Sequence, residues 1–176
     1  MKKYSLTLAV ILLSGSFIFA QKEPLKIGYV NSQVILNQLP EAIKAQGDLD
    51  ALTNKWTAEL DTMTARYQRH LASYQNNVSK MSKQKKVAAE KRLVNEQQKV
   101  LNFRKEKFTQ GTGEIYQKQN EIFGPVKKRI YKAIKKVAKE EKMQFVFDKS
   151  GNIILLYADN RYDITYKVLD ELQTGN

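Results

Sequence analysis

The sequence predicts an α+β fold in which a small β-rich body carries one long antiparallel α-helical hairpin. Three patterns lead to it. Apolar residues recur in steps of three and four from Leu49 through Leu52, Trp56, Leu60, Met63, Tyr67, Leu71, Tyr74 and Val78 to Met81. At about 100° per residue, that spacing keeps all of them on one face of a helix. Val87, Val94, Leu101, Phe108, Ile115 and Ile122 then follow at seven-residue spacing, the repeat of a helix that packs along another. Short β-branched and aromatic runs flank this stretch at Lys26 to Val30, Gln144 to Asp148 and Asn152 to Ala158, and read as strands.

In chain order, Lys2 and Lys3 precede an apolar run from Leu6 to Leu13, with small residues at Gly15, Ser16 and Ala20. This is the pattern of a secretory signal peptide over residues 1–20, cleaved after Ala20. The run is shorter than the roughly 20 residues a membrane span needs, and no later segment qualifies, so the mature chain is expected to be soluble. The body is then expected in two pieces, residues 21–40 and 143–176, with the hairpin arm over 41–142 and its tip near 79–86. Each arm helix would hold about 40 residues and reach about 60 Å at 1.5 Å per residue. Pro40 suits the first position of the outgoing helix. Lys149, Ser150 and Gly151 read as the turn of a β-hairpin, and Asp163 as the N-cap of a last helix that buries Ile164, Val168, Leu169 and Leu172.

The formal charge of +12 includes Lys2 and Lys3, and its distribution is uneven. Glu41 to His70 holds four basic and five acidic residues, whereas Lys80 to Thr109 holds ten and three, and Glu121 to Lys142 eight and three. The tip and the returning helix are therefore the basic parts. They read either as solvated faces that keep an exposed coiled coil in solution or as a surface that attracts anionic partners. A signal peptide argues against nucleic acid as that partner.

The chain has no cysteine, which excludes disulfides, thiolate metal sites, cysteine nucleophiles and a lipoprotein anchor. His70, the only histidine, falls on or near the packed face and reads as a structural imidazole. Asp48, Asp50, Glu59 and Asp61 lie along a solvated helix face, with no apolar pocket to tune them for acid–base work. No phosphate loop, metal-ligand cluster or nucleophile motif is present, so a non-enzyme without cofactor or metal is expected. The body counted as Leu25 to Leu39 and Met143 to Thr174 has only 47 residues. A core below about 60 residues rarely stands alone without a staple, so self-association through its apolar strands is expected.

The order of parts, together with KIGYVN at Lys26 to Asn31, LPEAIKA at Leu39 to Ala45, FVFDKSGNIILLYAD at Phe145 to Asp159 and YDIT with VLDEL at Tyr162 to Leu172, resembles the OmpH-like family of periplasmic chaperones. Asn31 stands where members often have Asp. The resemblance implies a homotrimer in which the strands of three subunits build one trimerisation body and three helical arms hang as tentacles around a cavity. It implies an ATP-independent holdase of the periplasm that encloses unfolded outer-membrane proteins. Anionic lipid or lipopolysaccharide is a further expected partner, and an envelope adaptor with basic arms on an anionic surface is the alternative.

On that reading, Ile27, Tyr29, Val30, Phe145, Phe147, Ile153, Ile154 and Leu155 would form the oligomer body. Client contacts fall to Phe103, which two residues from Leu101 is about 200° off the heptad line, and to Lys80, Lys83, Lys85 and Lys86 at the tip. Ala51, Ala58, Ala65 and Ala72 form a small-residue line that reads as helix propensity or as a mildly apolar cavity wall. Glycine weakens a helix interior, so Gly47, Gly111 and Gly113, expected at one height of the arm, mark a hinge or a close helix packing. Gly124 and Pro125 mark a second kink nearer the body.

Overall fold

The computed structural model describes residues 24–151 and 155–175. The expected signal peptide, with Ile153 and Ile154, lies outside them. The elements run β1 (Ile27–Val30), α1 (Ser32–Gln38), α2 (Pro40–Asn77), α3 (Lys83–Phe108), α4 (Glu114–Glu140), β2 (Phe145–Asp148) and α5 (Thr165–Thr174).

Local chemistry sets the boundaries. Asn31 sits in extended backbone and its Oδ1 accepts the N–H of Val34 at 3.2 Å, capping α1; an amide oxygen does this as well as a carboxylate. Pro40 holds Leu39 extended, at φ −88° and ψ 116°, which ends α1 and starts α2 at a proline. α2 then runs unbroken for 38 residues, about 57 Å at 1.5 Å per residue. The chain reverses through a 3-10 turn at Val78–Lys80, and Ser82 caps α3 by accepting the N–H of Lys85 at 3.4 Å. Asp163 works one residue earlier than expected of an N-cap: its Oδ1 accepts the N–H of Thr165, the first residue of α5, at 2.9 Å.

The sheet differs from the expected hairpin. β2 forms, but it pairs in parallel with β1, in the register Ile27↔Phe145 to Val30↔Asp148, so the whole helical arm is the crossover between them. Leu155 to Ala158 is not a strand. β1 is occupied on both sides, by β2 and by a bridge from Tyr29 to Asp163, and β2 has no second strand partner among the described residues. The body is therefore mostly helical with a small two-stranded sheet, rather than β-rich.

Its core also exceeds the 47 residues counted from sequence. Ile35, Leu39, Ile164 and Val168 are at most 2% exposed. Ala42 and Ala45 from the first turns of α2, and Phe123, Val126, Ile130, Ala133 and Val137 from α4, close over them. Residues assigned to the arm thus complete the body, because the apolar period of α4 continues past the arm's seam to the body. Arg129 pairs with Glu41 and donates to the carbonyl of Leu172, and Lys136 pairs with Glu171 at 2.6 Å, tying the bases of α2 and α4 to α5.

Candidate functional site

Beyond the body, the arm is a two-layer hairpin in which α2 faces α3, and no packed core accompanies it. Trp56, 7% exposed, is the one buried side chain in the distal arm among the described residues. It meets the Phe108 ring edge-to-face, with centroids 6.3 Å apart at 87°, and the Lys107 ammonium lies 5.0 Å from its ring centre. Lys107 also pairs with Glu106 and Glu114, which raise its pKa, the Glu106 hydrogen bond most. Nearer the tip the seam is polar. His70 Nδ1 lies 2.7 Å from Glu96, and the Tyr74 hydroxyl donates to Glu90 at 2.5 Å. Marginal packing follows directly: polar contacts across a thin seam exclude little water.

Only part of the heptad line assigned to that seam is in it: Phe108 meets Trp56, but the three residues before it turn away. Val87, Val94 and Leu101 are 56%, 63% and 50% exposed. Ala89, Leu93, Val100 and Phe103, in steps of four, seven and three, and Phe108 at the helix end are the half-buried apolar residues of α3. Phe103 was placed off the packed face; instead it turns inward and lies 5.8 Å below the Lys107 ammonium. The 200° separation from Leu101 was sound, but it was Leu101 that faced away. On α2, Ala51, Ala58 and Ala72 are exposed and Ala65 is half-buried.

Lys80 lies in the tip turn, and Lys83, Lys85 and Lys86 occupy the first turn of α3, all exposed. Cations there oppose the helix macrodipole, so helix stability does not account for their placement.

The glycines divide. Between α3 and α4 the returning limb leaves helical geometry from Thr109 to Gly113. Gly111 takes φ +77° there, and a Cβ on Gly113 would come within 2.8 Å of backbone atoms of Lys107 and Thr109. Both are required by a tight break. Gly47 is different: it stays inside α2 with open space around it, and it lines one groove with Gln119 and Phe123. It therefore does not stand opposite Gly113; Trp56, which meets Phe108, stands nearest the break. α4 runs through Gly124 and Pro125 without ending.

At the body, Ile27, Phe145, Phe147 and Leu155 are 40–56% exposed, whereas Tyr29 and Val30 are 5% and 2% exposed. Tyr29 and Val30 are buried within the subunit's own body: Tyr29 is covered by Lys149, 4.8 Å from its ring, and bonds Asn160 at 3.3 Å. Leu25, Leu156 and Tyr157, 63%, 94% and 84% exposed, were missed. No cluster of three metal-ligating side chains occurs among the described residues, and none of their helices is long and apolar enough to cross a membrane.

Known proteins can now be set beside this geometry. Residues 26–172 match the family model described as outer membrane protein (OmpH-like). A crystal structure from Caulobacter crescentus CB15, described as a candidate outer membrane chaperone of the OmpH-like kind, superposes with a TM-score of 0.66 at 13% identity, covering 84% of this chain and 83% of that one. That likeness is one of fold. No curated protein matches the chain. The family match takes in both strands, the entire arm with its break, and most of α5; the chain belongs to the OmpH-like outer membrane protein family.

Proposed function

We propose that this protein is an exported, ATP-independent holdase of the periplasm that, as a homotrimer, encloses unfolded outer-membrane proteins and keeps them from aggregating. Family membership supports a chaperone role, and one observation carries the finer reading. The arm exposes a long, basic and lightly apolar surface while packing itself only thinly. Unfolded membrane strands alternate apolar and polar residues and aggregate in water, so a carrier must shield them without gripping too tightly to release. Many weak contacts on a long surface meet both demands. Association through the body is supported by the β2 edge with Phe145 and Phe147, since exposed apolar strand edges invite pairing, and by the exposed Leu156. The break at 109–113 supplies the hinge that lets the arms spread.

The test is dilution of a urea-unfolded outer-membrane barrel protein into buffer with and without the chain. The expected result is suppressed light scattering at a ratio of three chains per client, and a particle of three subunit masses without client. Unchanged aggregation with tight binding to anionic polysaccharide or lipid would instead establish the adaptor reading.

A further inference from the structure

The face of α3 turned away from α2 carries an apolar line with nothing over it. Val87, Val94 and Leu101 recur every seven residues and are half to two-thirds exposed, and the residues of α3 that pack on α2 lie about 100–160° round the helix from them. Lys83, Lys91 and Lys105, all exposed, stand on the same face, so that lysine and apolar residue alternate at helical steps from Lys83 to Val94, and Lys105 follows Leu101 one turn on. One acidic residue, Glu90, stands on this face between Val87 and Val94, and its carboxylate is engaged by the hydroxyl of Tyr74. Two of the three apolar residues are β-branched, poorer helix formers than the lysines, glutamines and alanines around them, and none contributes to the seam. Neither helix propensity nor packing explains them.

We infer that this line is the arm's principal client-binding surface, and that its occupant is an extended segment of unfolded polypeptide with apolar side chains on one face and acidic groups beside them. The inference rests on the holdase reading. From Val87 to Leu101 the line is about 21 Å long at 1.5 Å per residue, which about seven residues of extended chain span at roughly 3.3 Å each. Such a segment lays three or four same-face side chains along the line while its carboxylates meet the lysines. Those lysines disfavour a second arm as the occupant, because two copies of this face would set like charges together.

The experiment uses the full mature chain and, as probe, a urea-unfolded acidic eight-stranded barrel protein, with fluorescence anisotropy read at two salt concentrations. In V87S/V94S/L101S the Kd is expected to rise about tenfold at either salt, with helicity and particle mass unchanged, since partial burial of three apolar side chains is lost. K83Q/K91Q/K105Q should slow association at low salt only. A51S/A58S/A72S, on the opposite helix, should change Kd less than twofold. Wild-type affinity in the valine–leucine variant overturns the inference, as does a loss confined to the alanine variant or a change of particle mass. A wild-type chain that fails to bind the unfolded probe overturns the holdase reading itself.

Discussion

Replacing Trp56 by alanine isolates the strength of the arm from that of the body. Trp56 is 7% exposed, touches Phe108 edge-to-face and lies under the Lys107 ammonium, yet it stands outside the cluster that forms the body's core. Truncating a buried tryptophan costs about 3–5 kcal/mol. In a two-layer arm whose neighbours already meet water the cavity relaxes into solvent, so the low end, about 3 kcal/mol, applies. Of this, the edge-to-face contact accounts for about 0.5–1.5 kcal/mol and the cation–π contact for about 0.5–1 kcal/mol. Amide hydrogen exchange reads the two regions separately. Protection in α2 near Trp56 and in the last turns of α3 should fall about a hundredfold, since 1.4 kcal/mol is tenfold. Protection at Ile130 and Val168 should be unchanged. A fall of less than fivefold in the arm, or an equal fall in the body, would show that Trp56 is not the arm's anchor and that arm and body open as one unit.

Three further outcomes follow from the same geometry. Gln substitutions at Lys80, Lys83, Lys85 and Lys86 should slow capture of an acidic client at low salt and leave fold and particle mass intact, measured by stopped-flow anisotropy; near 0.15 M salt the difference should shrink, because screening acts beyond about 8 Å. Partial burial pushes the Asp148 carboxyl up, but donors from Ser32 and Ser150 outweigh it and hold it below the usual aspartate range. Its stabilisation is therefore present at neutral pH and lost as pH falls below about 4 through the depressed value, and denaturant titrations across that range should show a shallower loss in Asp148→Asn. Gly47→Ala, with open space around it, should stabilise α2 by about 0.5–1 kcal/mol, whereas Gly113→Ala, driven against the backbone of Lys107 and Thr109, should lower the arm's melting temperature. Gly47 and Gly113 thus do not act alike.

Much of this fold was legible because the relevant signals are local. Pro40 acts on its own neighbours, and the period of α2 repeats often enough to outweigh its single glycine. The parallel pairing of β1 with β2 was not legible, because the nearer partner for Gln144 to Asp148 in sequence was the run beyond the Gly151 turn, and only the assembled body shows β1 lying open to receive it. The size of the core was misjudged for a related reason: Phe123, Val126 and Ile130 continue the arm's own helical period, and nothing in a period tells where a helix stops packing on one partner and starts packing on another.

The choice of the arm's packed face is the most instructive case. α3 carries two apolar lines: one runs through Val87, Val94 and Leu101, the other through Leu93, Val100 and Phe103. Each satisfies the helical repeat, and a single sequence ranks the first higher because its seven-residue spacing is strict and continues into Phe108 and Ile115. What favours the second is α2, whose Trp56 lies against Lys107 and whose His70 draws in Glu96. Glu96, three residues after Leu93 and four before Val100, is bonded to His70 across that line. Because two lines compete for one partner, one must be left in water, and the line left out is the more apolar by spacing and the more basic by flank. An arm that leaves one of its two apolar lines in water gives up packing within the hairpin and keeps an unfilled surface for something else to cover.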